Sequence, residues 1–142
     1  MTTDAVIFAV TPGTIKLLLI KRGHDPYKGK WAIPGGFINI DEELEDAVAR
    51  ELKEETGLTG IPLEQLHTFG AVGRDPRGRQ ITVVYMGIIK EGLDRVKAGD
   101  DAAHAQWFDI NDLPPDMAFD HNEVAKLAIR RLQAKLLLFN QK

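Results

Sequence analysis

The sequence contains no cysteine among its 142 residues, so disulfide bonds, thiolate nucleophiles and zinc–thiolate sites are excluded. Long apolar runs are missing as well. The longest, at residues 17–20 and 136–139, fall far short of the roughly 20 residues of a transmembrane helix. The N-terminus has no basic stretch followed by an apolar block, as a secretion signal would have. We therefore expect a cytoplasmic protein without a membrane partner.

An excess of positive charge is also missing. The chain has 18 Lys and Arg against 21 Asp and Glu, a net charge of −3, and the basic residues form no long run. Proteins that bind nucleic acid without sequence preference usually carry a basic stripe, so we expect no nucleic-acid partner. A small anionic substrate stays possible, because a bound metal ion can reverse the local sign of a site.

Length and composition are those of one packed domain, which we expect to span residues 1–142. Hydrophobic residues make up 44% of the chain and charged residues 27%, as in ordinary globular proteins. A chain of this size buries roughly 70% of its unfolded surface on folding, which is enough for a stable core without disulfide bonds or structural metal ions. No segment repeats and none is low in complexity.

Apolar segments separated by turn-forming residues predict the strands. Residues 4–10 and 15–20 flank the turn Thr11-Pro12-Gly13-Thr14, which favours a hairpin. Further strands are expected in four places: residues 31–33, 66–73, 80–90 and 104–109.

Helical spacing of apolar residues predicts a helix over residues 42–56, with Asp41 as its N-cap and Gly57 just beyond its end. A second helix is expected over residues 121–139, and Asp120 resembles the start of a capping box. Strands before and after one helix, then a second helix, indicate the α/β class: a mixed sheet between helices.

The first helix carries three carboxylates within little more than one turn. At about 100° per residue, Glu55 lies about 40° from Glu51 around the helix axis, and Glu54 lies about 60° to the other side. Carboxylates this close repel one another unless a cation lies between them, and hard oxygen ligands suit Mg²⁺ or Mn²⁺. A solvated helix face is the alternative. Arg50 orients the cluster if it pairs with Glu54, but only anchors the helix surface if it pairs with Asp46.

Spacing favours the metal site over the solvated face. Gly36, Glu42 and the segment from Arg50 to Leu58 match every fixed position of G-x5-E-x7-R-E-U-x-E-E-x-G-U, where U is aliphatic. This pattern over 23 residues is the signature of the Nudix hydrolases, which the chain therefore resembles. Residues 29–37 before the signature, and Trp107-Phe108 with Leu113-Pro114 after it, extend the resemblance over essentially the whole chain.

The resemblance implies an α/β/α sandwich in which water attacks a substituted nucleoside diphosphate. It also implies a set of ligands for Mg²⁺, with Mn²⁺ possible: the carbonyl of Gly35 and the side chains of Glu51, Glu54 and Glu55. Arg50 would orient these carboxylates, and Glu42 would be an accessory carboxylate outside the ligand set. The metal would neutralise the phosphates and lower the pKa of the attacking water.

Within that family the chain is most similar to the small ADP-ribose pyrophosphatases, which convert ADP-ribose into AMP and ribose 5-phosphate. This similarity lies in four segments: residues 22–31, 73–79, 98–103 and 118–122. The chain departs from the pattern at Gly73, where many of these enzymes have a proline, and Pro76 follows slightly later.

Five residues are candidates for substrate binding: Arg74, Arg77, Arg79, Phe119 and His121. The three arginines would contact phosphates or the terminal ribose, unless they belong to a solvated hairpin loop. Phe119 and His121 would line a nucleoside pocket, unless they only anchor the start of the second helix.

The catalytic base has several candidates. The family usually takes a carboxylate from a loop after the signature, which favours Asp101 over Asp100. His104 stands three residues before Trp107, where related sequences often carry Glu. The base is therefore Asp101, one of Glu51 and Glu54, or His104.

Two other functions remain open. One is the hydrolysis of oxidised nucleoside triphosphates, since base recognition depends on pocket shape. The other is a non-catalytic, ADP-ribose-sensing regulator. Such regulators carry an additional DNA-binding module, for which the three residues after Phe139 leave no room, so we expect catalysis. Enzymes of this kind are commonly homodimers, and we expect a homodimer here.

Overall fold

The computed structural model describes residues 1–97 and 102–140. In this part of the chain seven strands form one sheet and two α-helices pack on it. The strands are β1 (Thr2–Thr11), β2 (Thr14–Arg22), β3 (Trp31–Ala32), β4 (Gly35–Phe37), β5 (Glu64–Phe69), β6 (Thr82–Ile89) and β7 (Ala102–Asp109). The helices are α1 (Leu44–Thr56) and α2 (His121–Asn140), and a 3₁₀ turn spans Leu93–Arg95. None of these helices is long and apolar enough to cross a lipid bilayer.

Strand β1 lies at the centre of a mixed sheet. The order is β3-β2-β1-β6-β5, with β4 also paired to β1 and β7 also paired to β2. β1 and β2 form the predicted hairpin, in which Thr11 faces Thr14. β1 and β6 run parallel from Thr2–Thr82 to Ala9–Ile89, while the other pairs are antiparallel. The predicted mixed sheet is confirmed.

The two helices cover opposite faces of this sheet. Successive side chains of a strand point to opposite faces, so Val6 and Phe8 pack with the apolar side of α2, while Ala5 and Ile7 pack with that of α1. Both faces of β1 are therefore buried, which explains why residues 5–9 are apolar without alternation. The structure is the expected α/β/α sandwich.

Helix α1 begins later than predicted. Its N-cap is Glu43, which makes no side-chain capping bond, so the assignment of Asp41 as N-cap is wrong. The side chain of Glu42 is drawn back into the preceding turn, where it accepts a hydrogen bond from the Asn39 N–H at 3.1 Å. The predicted end is confirmed. Gly57 adopts φ of 80°, and its N–H donates to the Lys53 carbonyl at 2.9 Å.

Candidate active site

A cavity of about 280 Å³ lies where β1, β4, α1 and the start of α2 meet. Nine of the residues predicted from sequence line it: Gly35, Arg50, Glu51, Glu54, Glu55, Arg74, Arg77, Phe119 and His121. Arg79 is not among the described lining residues, and its Nη1 donates to the Gly70 carbonyl at 2.5 Å. His104 is exposed on β7, opposite Lys21 of β2. Asp100 and Asp101 lie outside the described residues.

Arg50 gathers the carboxylates of the signature. Its guanidinium donates to Glu42 at 2.7 and 2.9 Å, to Glu51 at 2.9 Å and to Glu54 at 3.2 Å. It also donates to the Phe37 carbonyl at 3.1 Å. Of the two pairings left open by the sequence, the one with Glu54 forms. The contact with Glu42 lowers the pKa of that carboxyl, chiefly through its hydrogen bond with Arg50.

Glu55 is the most deeply buried carboxylate of α1, with 7% of its surface exposed. Its Oε1 accepts a hydrogen bond from the Gly35 N–H at 2.8 Å. Burial raises the pKa of Glu55 to about 8, and the charges of Glu51 and Asp4 act in the same direction. Burial also raises the pKa of Glu51. A second positive charge placed here would lower the free energy of the ionised cluster.

Two glycines leave room for these carboxylates. A Cβ on Gly36 would lie 2.6 Å from the carboxyl carbon of Glu51, and one on Gly35 would lie 2.0 Å from Oδ1 of Asp4. Real Cβ atoms do not approach other atoms so closely. A side chain at position 36 would therefore displace the carboxylate of Glu51, which accounts for the glycine at the first position of the signature.

His121 joins α2 to the floor of the cavity. Its Nδ1 accepts a hydrogen bond from the Ile33 N–H at 3.0 Å. In the neutral imidazole the proton therefore lies on Nε2, which faces Oδ2 of Asp4 at 3.5 Å. Both side chains are buried and both line the cavity. His121 thus anchors the start of α2, one of the two roles that the sequence left open, and its side chain also lines the cavity.

Arg74 is a buried residue whose side chain links the loop before β6 to the start of α2. Its guanidinium donates to both carboxylate oxygens of Asp120, at 2.9 and 2.7 Å, and to the hydroxyl of Thr82 at 2.9 Å. The carboxylate of Asp120, expected in a capping box, is used for this ion pair. The guanidinium is thus held by protein groups at the edge of the cavity.

Arg77 lies against aromatic rings in the cavity. Its guanidinium carbon is 4.7 Å from the ring centre of Phe37 and 5.3 Å from that of Phe119. The Asp75 carboxylate accepts hydrogen bonds from Arg77 Nε at 3.1 Å and Nη2 at 2.8 Å. The solvated hairpin loop proposed as an alternative for these arginines therefore does not describe Arg77.

The sequence analysis did not single out Asp4, Arg22, Phe37 or Asp75, whose charged or aromatic side chains also line the cavity. Asp4 had a signal, since it is a charged residue at the start of an otherwise apolar strand. Arg22 likewise follows the apolar run of β2. Phe37 and Asp75 had no local signal beyond their proximity to Gly36 and Arg74.

The donor atoms fit a hard divalent cation, because every candidate ligand offers oxygen. Within residues 1–97 and 102–140, no three acidic, histidine or cysteine side chains stand together as a ready ligand set. Glu51 and Glu54 instead bond to Arg50, and Glu55 bonds to Gly35. Rotation of these flexible side chains would free their oxygens, and the raised pKa of Glu55 marks the position where a cation is favourable.

Comparison with known proteins agrees with this geometry. The NUDIX domain matches residues 1–128. Over 111 residues, 78% of this chain and 64% of the relative, the chain is 47% identical to an ADP-ribose pyrophosphatase of Methanocaldococcus jannaschii. Over 140 residues, 95% of this chain and 55% of the relative, it is 37% identical to the ADPR responsive transcriptional repressor NtrR of Acinetobacter baylyi. The chain thus spans less than two thirds of the length of either relative.

A solved structure shares the fold closely. The NUDIX domain of Shewanella oneidensis NrtR, complexed with ADP ribose, superposes with a TM-score of 0.84 at 35% identity, covering 92% of this chain and 86% of that one. The signature, the cavity that gathers its carboxylates and the match over residues 1–128 lead to one conclusion. The chain belongs to the NUDIX domain family.

Proposed function

We propose that this protein hydrolyses the diphosphate bond of a nucleoside diphosphate linked to another group, with ADP-ribose converted into AMP and ribose 5-phosphate. The observation that carries the proposal is the position of Glu51, Glu54 and Glu55, which line the same cavity as the aromatic rings of Phe37 and Phe119. Carboxylates for a metal ion thus face groups suited to a nucleotide. The name of the archaeal relative, an ADP-ribose pyrophosphatase, supports the choice of substrate.

The proposed cofactor is Mg²⁺, with Mn²⁺ as a possible substitute. The side chains of Glu51, Glu54 and Glu55 and the carbonyl of Gly35 would hold it. Such a cation neutralises phosphate charge and lowers the pKa of a water molecule used as nucleophile.

The chain's own residues prepare the cavity for this chemistry. Arg50 donates hydrogen bonds to Glu51 and Glu54 and keeps their carboxylates at the cavity, from which a rotation of the side chains would bring their oxygens to a cation. The Gly35 N–H holds Glu55 in the same way. Asp101 is the proposed general base, with Glu51, Glu54 and His104 as competitors. Because the side chain of Glu54 is 39% exposed, it is the carboxylate of the signature most accessible to water.

A panel assay tests the proposal directly. The protein is incubated with ADP-ribose, dinucleotides, nucleotide sugars and nucleoside triphosphates in Mg²⁺ or Mn²⁺, and products are separated by chromatography. We expect the highest kcat/KM for ADP-ribose, release of AMP and ribose 5-phosphate, and no turnover in excess chelator. Preference for an oxidised triphosphate with release of pyrophosphate would instead identify a nucleotide-pool sanitising enzyme.

A second candidate is an ADP-ribose-sensing module without catalysis. The observation in its favour is the 37% identity with the repressor over 95% of this chain. Tight binding of ADP-ribose without turnover in any divalent cation would support this candidate. Catalysis is preferred because every fixed position of the signature is present.

A homodimer, a single domain over residues 1–142 and a cytoplasmic location stay predictions. Light scattering coupled to size-exclusion chromatography tests the first, and limited proteolysis tests the second. Fractionation of cells that express the protein tests the third. A nucleotide is the proposed small-molecule partner, and we propose no nucleic-acid partner. Titration of labelled duplex DNA at low salt tests that last point.

A further inference from the structure

The side chain of Arg77 lies between two phenylalanine rings that come from distant parts of the chain. Its guanidinium carbon is 4.7 Å from the centre of Phe37, the last residue of β4, and 5.3 Å from the centre of Phe119, which lies just before α2. Both distances are within the range of cation–π contact, about 6 Å. Phe37 is 46% exposed despite this contact, so one side of the arrangement opens to solvent.

Asp75 holds Arg77 in this position. It accepts the backbone N–H of Arg77 at 2.8 Å, in addition to the two hydrogen bonds from its guanidinium. The Asp75 side chain is only 3% exposed, whereas that of Arg77 is 33% exposed. The carboxylate is therefore the fixed partner, and the arginine is the side chain that can swing towards solvent.

The ring of Phe119 is held at the cavity by an unfavourable backbone conformation. Phe119 has φ of 53° and Tyr27 has φ of 63°, the two positive values among non-glycine residues of the described chain. The two rings contact each other edge to face, with centres 4.8 Å apart. Bulky residues rarely adopt positive φ, and such strain concentrates at functional sites. The strained backbone conformation at Phe119 thus places its ring at the cavity.

A planar group is what two aromatic rings and an acceptor would recognise. A guanidinium is planar and donates in its plane to Asp75, and a nucleobase with an exocyclic amino group has the same two properties. The base offers more apolar surface to the rings than the guanidinium does, and its stacking requires no charge to leave water. The present cavity, about 280 Å³, is at the lower end of small-molecule sites, roughly 300–1,000 Å³. Removal of Arg77 would enlarge it.

We propose that the slot between Phe37 and Phe119 binds the adenine of the substrate and that Arg77 occupies it in the absence of ligand. The base and Arg77 exclude each other, and the base's amino group replaces the guanidinium as a donor to Asp75. Arg77 is then a gate that weakens nucleotide binding, while Asp75 selects a base with an exocyclic amino group over a base that lacks it. The inference rests on the proposed function for the identity of the nucleotide.

The experiment compares AMP with purine riboside 5′-monophosphate, whose base lacks the exocyclic amino group and has no other N–H donor. Dissociation constants are measured by calorimetry for the wild type, Arg77→Ala, Asp75→Asn and the control Arg131→Ala, which changes an exposed arginine of α2. The wild type should bind AMP about tenfold or more tightly than purine riboside 5′-monophosphate, since a hydrogen bond to an ionised acceptor is lost. Arg77→Ala should bind both about three- to tenfold more tightly and keep the preference. Asp75→Asn should bring the two constants close together, and Arg131→Ala should match the wild type.

The outcomes separate this inference from its alternatives. Weaker AMP binding by Arg77→Ala would mean that the arginine contacts the phosphate, and would overturn the gate. Equal binding of AMP and purine riboside 5′-monophosphate by the wild type, or binding of neither at millimolar concentration, would overturn the role of Asp75. If Asp75→Asn does not fold, the wild type and Arg77→Ala still decide the matter. Because these measurements need no turnover, failure of hydrolysis would reject the proposed function while leaving this test intact.

Discussion

Gly36 and Glu51 are in contact, and the contact depends on the missing side chain of the glycine: a Cβ at position 36 would lie 2.6 Å from the carboxyl carbon of Glu51. The two residues belong to different elements, β4 and α1, and are 15 positions apart in the chain. The first glycine of the signature thus leaves the space that the carboxylate of Glu51 occupies.

Gly36→Ala should therefore lower kcat by about tenfold or more, because a displacement of a catalytic group by about 1 Å can cost 10²-fold. Stability should change little, since the backbone of Gly36 has no positive φ. The matched control is Gly70→Ala, where the nearest atom to the new Cβ is Ile81 Cγ1 at 3.6 Å, an ordinary contact. Steady-state kinetics of both variants, with melting temperatures, test the prediction. Normal kcat in Gly36→Ala would contradict it.

Glu55→Gln should abolish hydrolysis and at the same time change the pH dependence of stability. Burial raises the pKa of Glu55 from its ordinary value of 4.5 to about 8 in the folded protein. The folded state thus holds the proton of Glu55 more strongly than the unfolded state does. The contribution of this carboxyl group to the free energy of unfolding is fully present below pH 4.5 and is lost as pH rises through about 8. Without metal, the wild type should lose stability relative to Glu55→Gln over this range.

Denaturant unfolding of both proteins at several pH values in chelator measures that difference. Addition of Mg²⁺ should restore the stability of the wild type above pH 8 and should not affect the Gln variant to the same extent, because a ligand that binds only the native state stabilises it. If the difference in free energy of unfolding between the two proteins is independent of pH, ionisation of Glu55 does not destabilise the folded state. Wild-type rates in the variant would remove Glu55 from the metal site.

Arg74→Met should destabilise the protein by about 3 kcal/mol, the lower end for breaking a buried ion pair. The Arg74 side chain is 4% exposed and that of Asp120 is 21% exposed, so the remaining carboxylate would be left poorly solvated. In a double-mutant cycle, Arg74→Met with Asp120→Leu should cost less than the sum of the single variants. Additive free energies of unfolding would mean that the two side chains do not stabilise the fold through each other.

Asp101→Asn should lower kcat by about 10²-fold or more, with a smaller effect on KM, the usual scale for loss of a positioned acid–base group. The prediction rests on the sequence, in which Asp101 follows the signature and directly precedes β7. Asp100→Asn and His104→Ala serve as comparisons at the same metal concentration. His104 is exposed on β7, so its replacement should have little effect. If only His104→Ala is impaired, the imidazole is the base and the assignment of Asp101 is wrong.

Local features of the chain were predictable because local hydrogen bonds determine them. The spacing of Glu51 and Glu55 on one face follows from the geometry of any α-helix. Gly57 ends α1 because a left-handed residue is needed there, and glycine adopts that conformation without strain. The hairpin of β1 and β2 follows from turn residues between two apolar runs.

Long-range packing decided the rest. Arg50 was expected to pair with Asp46 or Glu54, yet its shortest hydrogen bond is to Glu42 at 2.7 Å. The Glu42 side chain also accepts a hydrogen bond from the Asn39 N–H, and the turn there places it beside α1. The ion pair of Arg74 with Asp120 joins residues 46 positions apart, and no local pattern marks such a pair.

The sequence by itself determined the family, the helix that carries the carboxylates and the class of cation that suits them, because these depend on residue type and short spacing. Only the tertiary structure decided that Glu55 is buried, that Asp4 lies beside it, and that Arg77 stands between Phe37 and Phe119. The physical reason is that burial and electrostatic environment are set by which distant segments meet across the sheet, and the chain encodes those meetings only through the packing of the whole core.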